Sequence, residues 1–148
     1  MKDKRIAELF ERHKVLSKKE LDSRYGVYTE TYETIVRYEG ALAADMVKTL
    51  IVPAALEYTA NLAETIKSIE SINKTKATAV RNILKDVASN MEKAADETTK
   101  LETALKGAST DKIRKIMADL REAVDALEGL VPAEIWPLPS YAEMLFIS

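Results

Sequence analysis

Mostly apolar residues spaced alternately by four and three recur along this chain, and this repeat constrains the fold more than any other feature. Its clearest stretch runs without a break through Val80, Leu84, Val87, Met91, Ala94, Thr98, Leu101 and Leu105. Such spacing lines one face of an α-helix. Gly107 follows, where glycine commonly caps a helix C-terminus. We therefore predict a helix over residues 75–106.

A second seam with the same repeat follows a short connection. Ser109 or Thr110 can cap the start of this helix, since small hydroxyl side chains satisfy free amides there. Its apolar positions are Ile113, Met117, Leu120, Val124, Leu127 and Val131. Pro132 ends the regular pattern. We predict a helix over residues 110–131 and an apolar tail over 132–148.

The first half of the chain predicts one very long helix over residues 17–72. Ser17 and Glu20 have the spacing of a capping box, and Leu16 and Leu21 that of a hydrophobic staple. The apolar stripe that follows, interrupted by Glu39, is Leu21, Tyr25, Tyr28, Tyr32, Ile35, Leu42, Met46, Leu50, Ala54, Tyr58, Leu62 and Ile66. Pro53 lacks an amide proton. We expect a kink there because the stripe continues in phase, although the helix could instead restart at Pro53.

These segments predict an all-α fold: an antiparallel helical bundle in a single domain, residues 1–148, with a short N-terminal helix and linker over 1–16. At 1.5 Å per residue the long helix would span roughly 80 Å and the helix over 75–106 roughly 50 Å. The tyrosine-rich half of the long helix is then left largely uncovered. We expect it to dock on another subunit or on a catalytic portion, unless a sharp break at Pro53 lets the chain cover itself.

Two groups of side chains are therefore candidates for an interface. They are Tyr25, Tyr28, Tyr32 and Ile35 on the long helix, and Trp136, Leu138, Tyr141 and Phe146 in the tail. The tail carries too much apolar surface to remain in water. Glu39 occupies a seam position beside Gly40, and we interpret it as partly exposed or ion-paired rather than as a ligand.

Composition narrows the function classes. The net charge of −2 gives no general attraction to nucleic acid. No apolar run approaches the roughly 18 residues of a membrane span, and the absence of cysteine is compatible with a cytoplasmic protein. We expect neither nucleic acid nor a membrane as a partner.

Catalytic motifs are absent from the sequence. His13 is the sole histidine, so helical metal sites built on paired histidines cannot form. The sequence contains no glycine-rich phosphate loop and no nucleophile elbow. We predict no catalytic, cofactor-binding or metal-binding residue in this chain.

Four segments together resemble a known family: Leu9-Phe10, the stretch Val15–Tyr25, the stretch Met46–Leu56 and the tail Trp136–Ser148. They look like the C-terminal region of a type III glutamine synthetase, over roughly residues 1–66 and 124–148. The family usually has basic residues flanking the tail tyrosine, where this chain has Ser140 and Ala142.

The resemblance implies a non-catalytic C-terminal helical domain that contributes to subunit packing. The parent enzyme would be a glutamate–ammonia ligase that makes glutamine from glutamate, ammonia and ATP with Mg or Mn. The partners would be the catalytic portion of the same polypeptide and neighbouring subunits of a homo-oligomer. The alternative is a stand-alone helical adaptor whose tyrosine stripe binds a partner helix.

Overall fold

The computed structural model describes residues 3–73, 76–139 and 141–145. In chain order its elements are α1 (Lys4–Arg12), α2 (Lys18–Met46), a π-helical turn (Val47–Ile51), α3 (Val52–Asn73), α4 (Thr78–Leu105), α5 (Thr110–Glu128) and α6 (Tyr141–Leu145). No strand occurs within these ranges. The predicted all-α class is confirmed. The chain divides into two compact units, Met1–Tyr38 and Glu39–Ser148.

In the first unit, helix α1 is closed at both ends by local hydrogen bonds. The Asp3 carboxylate accepts from the Arg5 amide at 2.9 Å. At the other end Lys14 adopts a left-handed φ of 54°, and the amides of Lys14 and Val15 donate to the carbonyls of Glu11 and Phe10 at 3.1 and 3.0 Å. This is a Schellman motif with lysine where glycine is usual.

The predicted capping box forms at the start of helix α2. The Ser17 amide donates to Glu20 Oε2 at 2.8 Å, and the Glu20 amide donates to Ser17 Oγ at 3.3 Å. The Ser17 hydroxyl also donates to Glu20 Oε2 at 2.7 Å. These hydrogen bonds lower the pKa of Glu20, because they favour its charged form. Helix α2 therefore begins where the sequence indicates.

The helical path continues through Pro53, preceded by the π-helical turn Val47–Ile51. Within it the Val52 amide donates to the Val47 carbonyl, five residues back. Proline cannot donate to the carbonyl four residues earlier, and its ring crowds that carbonyl. The wider π-helical turn absorbs this conflict, so the chain neither breaks nor restarts at Pro53.

The second unit is built around helix α4, which packs on α3 and the π-helical turn on one side and on α5 on the other. Two ion pairs show the direction of α4: Glu70 pairs with Arg81 at 2.7 Å, and Lys48 pairs with Glu102 at 2.8 Å. Because the later residue of α4 pairs with the earlier one of the preceding helix, α4 runs antiparallel to that helix.

Parts of the apolar seams predicted for α4 and α5 lie in the core of the second unit, although α5 buries Ile116 and Ala123 where the prediction had Met117 and Val124. Val87, Ala94, Leu101, Ile113 and Leu127 are fully buried. Thr98 is buried as well, and its hydroxyl donates to the Ala94 carbonyl at 2.7 Å. The Ser109 side chain caps α5 by accepting from the Lys112 amide.

The helix ends and one stripe differ from the sequence-based predictions. Helix α4 spans Thr78–Leu105 rather than 75–106, and α5 ends at Glu128 rather than at 131. No described glycine has a positive φ, so Gly107 follows α4 without a left-handed cap.

The stripe predicted on the long helix is wrong in its middle part. Leu42 and Leu50 are 62% and 40% exposed, whereas Ala44, Val47 and Ile51 are buried. Close packing is seen just before this stretch at Gly40, where an added Cβ would lie 3.0 Å from Leu105 Cδ2. The π-helical turn also contains more residues per turn than an α-helix. A fixed four-three spacing therefore cannot follow the buried side of the helix through this turn.

Candidate docking surface

Helix α2 carries an exposed, largely aromatic surface in the first unit. We call it the aromatic face and define it as Val27, Tyr28, Tyr32, Ile35 and Tyr38. Their exposed fractions are 60%, 61%, 44%, 48% and 72%. The last four positions follow the three-and-four spacing of a helix, and Val27, eight residues before Ile35, lies on the same side. Five large apolar or aromatic side chains therefore face solvent together.

The aromatic face overlaps the predicted interface set without matching it. Tyr28, Tyr32 and Ile35 belong to both sets, whereas Tyr25 is half-buried. Val27 and Tyr38 were missed by the sequence analysis. The spacing of three residues from Ile35 to Tyr38 was the signal that could have found the latter.

Gly40 marks a closely packed side of the C-terminal part of α2. Gly40 is buried, and a Cβ atom added to it would lie 3.0 Å from Leu105 Cδ2 and 3.4 Å from Ile113 Cγ2. This side of the helix thus packs at close range and has no room for larger groups. The side chain of Glu39, beside it, is exposed and does not enter the seam.

The tail residues that the structure describes are only partly packed in the second unit, since Met144 and Leu145 are 50% and 74% exposed. Trp136 and Leu138 are half-buried and line a cavity of about 390 Å³. The cavity is also lined by Glu128, Val131, Ala133 and Glu143. Trp136 Nε1 is buried and has no hydrogen-bond partner in the described part of the chain. These contacts lie within the unit, so an intermolecular role of Trp136 and Leu138 remains a prediction.

The other two tail candidates have less structural description. Tyr141 is the first residue of the short helix α6, and its side chain lies outside the described part of the structure. Phe146 lies outside the described residues. Their assignment to an interface stays a prediction.

The described residues provide no constellation for metal chemistry. Over residues 3–73, 76–139 and 141–145, no group of three or more histidines and carboxylates is placed to hold a metal ion.

An open groove of about 860 Å³ runs along α4 and α5 and is lined by Lys112, Lys115 and Asp119. Lys100, also in its lining, pairs with Glu97 at 2.6 Å, which raises the lysine pKa.

Within the described ranges, no helix combines the length and the hydropathy that a bilayer span requires.

Comparison with known proteins finds similarity to glutamine synthetases. The family described as "Glutamine synthetase C-terminal domain" matches residues 1–70. A type-3 glutamine synthetase of Dictyostelium discoideum is 28% identical over 94% of this chain and 21% of its own length. A glutamine synthetase of Butyrivibrio fibrisolvens is 28% identical over 94% of this chain and 22% of its own length.

A third relative, a glutamine synthetase of Bacteroides fragilis, is 25% identical over 90% of this chain and 21% of its own length. No solved structure matches the chain. The chain thus spans about a fifth of the length of the curated relatives it matches. Over residues 1–70 the chain is similar to glutamine synthetase C-terminal domains, and a type-3 enzyme is among its relatives.

Proposed function

We propose that this chain is a non-catalytic helical domain that contributes to subunit packing in a type-3 glutamine synthetase. The single observation that carries the proposal is the exposed aromatic face on a segment that the family match includes. Exposed apolar patches rimmed by polar residues mark interaction sites in soluble proteins. Tyrosine is enriched in such interfaces because it joins an apolar ring to a polar tip.

The catalytic role belongs, in this proposal, to the rest of the polypeptide. That portion would join ammonia to glutamate with ATP and with Mg or Mn, and this domain would bind none of these. Its partners would be the catalytic portion of the same chain and neighbouring subunits of a homo-oligomer. The described residues support a packing role for this domain, since they combine a well-packed helical core with an exposed docking surface.

The direct test is the assembly of a glutamine synthetase polypeptide that contains this domain. Tyr28→Glu places a charge in the middle of the aromatic face, where it would be desolvated on docking. We expect the native mass, measured by light scattering, to fall to that of smaller assemblies, with a parallel loss of glutamine formation.

A matched control places the same charge on an exposed apolar residue elsewhere. Ile72 is 77% exposed near the end of α3, and Ile72→Glu should leave the native mass and activity unchanged. If Tyr28→Glu also leaves both unchanged, the packing role is wrong. A chain that occurs on its own and captures an unrelated protein through Tyr28 would favour the alternative, a helical adaptor.

A further inference from the structure

The chemistry of the aromatic face is nearly free of charge. Val27, Tyr28, Tyr32, Ile35 and Tyr38 carry no ionisable group that is charged at neutral pH. Besides Glu30 at its side, two exposed charged residues border the face near its ends. Arg24 precedes Tyr28 by four residues and Glu39 follows Ile35 by four, and both side chains are exposed. Residues four apart are neighbours on a helix surface.

Arg24 and Glu39, and likewise Tyr28 and Ile35, lie at equal distances from a point between residues 31 and 32. An antiparallel copy of the helix sets Tyr28 of one chain near Ile35 of the other. The same operation brings Arg24 of each chain toward Glu39 of its partner, so that two opposite-charge contacts form. A parallel copy would instead bring Arg24 toward Arg24. Charge therefore favours an antiparallel two-fold pairing, in which the same surface is used by both subunits.

The available area is also in the range that such a pairing needs. From the exposed fractions, the five side chains present roughly 500 Å² per copy, since an aromatic side chain buries about 150–250 Å² in full. Complete burial of both faces would remove roughly 1,000 Å² from solvent, which reaches the lower limit for a specific interface.

We infer that the aromatic face docks on the aromatic face of a second copy of this chain, antiparallel and related by a two-fold axis. The inference rests on the proposed function and specifies that the packing partner is a second copy of this chain. It assigns Arg24 and Glu39 to orientation, and the tyrosines and Ile35 to the buried centre. Rim charges of this kind set register and orientation more than affinity.

The first test measures the mass of the 148-residue chain by sedimentation as a function of concentration. We expect twice 16.5 kDa at high concentration, and dissociation on dilution. Tyr28→Glu should leave a monomer throughout, whereas Ile72→Glu should dimerise normally. A chain that stays monomeric at all concentrations overturns the inference, and so does a dimer that tolerates Tyr28→Glu.

The second test exchanges the two charges. Arg24→Glu or Glu39→Arg alone brings like charges together twice and should weaken dimerisation about tenfold, the effect of roughly 1.4 kcal/mol in total. The double variant Arg24→Glu with Glu39→Arg should recover the original dimerisation. Additive losses in the double variant would rule out the antiparallel pairing.

These outcomes separate the inference from the proposed function. If Tyr28→Glu dissociates the intact enzyme while the 148-residue chain never dimerises, the domain still packs between subunits, but against a different surface. If the enzyme tolerates Tyr28→Glu while the chain dimerises through this face, the pairing is real and the packing role is wrong.

Discussion

The two units of this chain use the same helical repeat with opposite results. In the second unit the seams of α4 and α5 are buried, with Leu101, Ile113 and Leu127 inaccessible to solvent. In the first unit Tyr28 and Tyr38 remain 61% and 72% exposed. The difference teaches that periodicity marks a helix, whereas the neighbouring helices decide which side of it is buried.

The largest expected effect follows from burial in the second unit. Leu120 is 3% exposed, and Leu120→Ala should reduce the free energy of unfolding by about 2–5 kcal/mol through lost packing and a cavity. Ile35→Ala on the aromatic face should cost less than about 1 kcal/mol, because Ile35 is 48% exposed. Urea unfolding of the dilute chain measures both.

Leu56→Ala supplies the control for that comparison, since it makes the same chemical change at a residue that is 51% exposed. It should resemble Ile35→Ala rather than Leu120→Ala. Equal losses for all three variants would mean that the second unit does not hold the core.

A smaller effect is expected from the two glycines of α2. Gly40→Leu must fit beside Leu105 and Ile113, whose side chains are already within 3.4 Å of an added Cβ. We expect a loss of about 1–3 kcal/mol from overpacking. Gly26 has nothing within 4 Å of an added Cβ, and Gly26→Leu should stabilise the chain by up to about 1 kcal/mol through helix propensity.

Thermal melting shows whether each substitution raises or lowers the stability of the chain. A lower melting temperature for Gly40→Leu and a higher one for Gly26→Leu would sharpen the contrast between the packed and the open parts of α2. A rise in melting temperature for Gly40→Leu comparable to that for Gly26→Leu would contradict close packing at Gly40.

The start of α2 should show a more modest dependence on its cap. Ser17→Ala removes the hydroxyl that accepts from the Glu20 amide, and the loss of such a cap costs about 1 kcal/mol. Ser23→Ala, at an exposed position inside the helix, changes the same atoms without a cap. A loss confined to Ser17→Ala, measured by urea unfolding, confirms the cap. Equal effects would contradict it.

The smallest effect is a pH dependence at the same cap. The pKa of Glu20 is lowered because Ser17 donates to its carboxylate. A carboxylate with a lower pKa in the folded chain stabilises that chain above its unfolded pKa, and this contribution is lost as pH falls through the folded value. NMR titration should place the Glu20 midpoint below the ordinary glutamate value, and Ser17→Ala should move it back up. An unchanged midpoint in the variant would exclude Ser17 as the cause.

Sequence patterns predicted the helices well because caps and seams are local. The Ser17–Glu20 box and the seam through Val87 and Leu101 needed only spacing and side-chain type. The end of α1 was not predictable in this way, since Lys14 holds a left-handed position that usually takes glycine. The π-helical turn was also missed, because a proline conflict can be relieved by a break, a kink or a wider turn.

The docking surface was predictable only in part. Spacing selected Tyr28, Tyr32 and Ile35, but it also selected Tyr25, which is half-buried. Large side chains on a helix do not reveal which of them face a neighbour. Gly40 and Ala44 occupy the packed side because close approach requires small groups, and this depends on helices distant in sequence.

Hydroxyl-radical footprinting of the tyrosines tests the docking role of the aromatic face most directly. The labelling of Tyr28 and Tyr38 would be compared between the dilute 148-residue chain and an assembled glutamine synthetase that contains it, with half-buried Tyr58 as the internal reference. The account predicts severalfold protection of Tyr28 and Tyr38 in the assembled enzyme and none at Tyr58. Equal labelling of Tyr28 and Tyr38 in the two forms would contradict it.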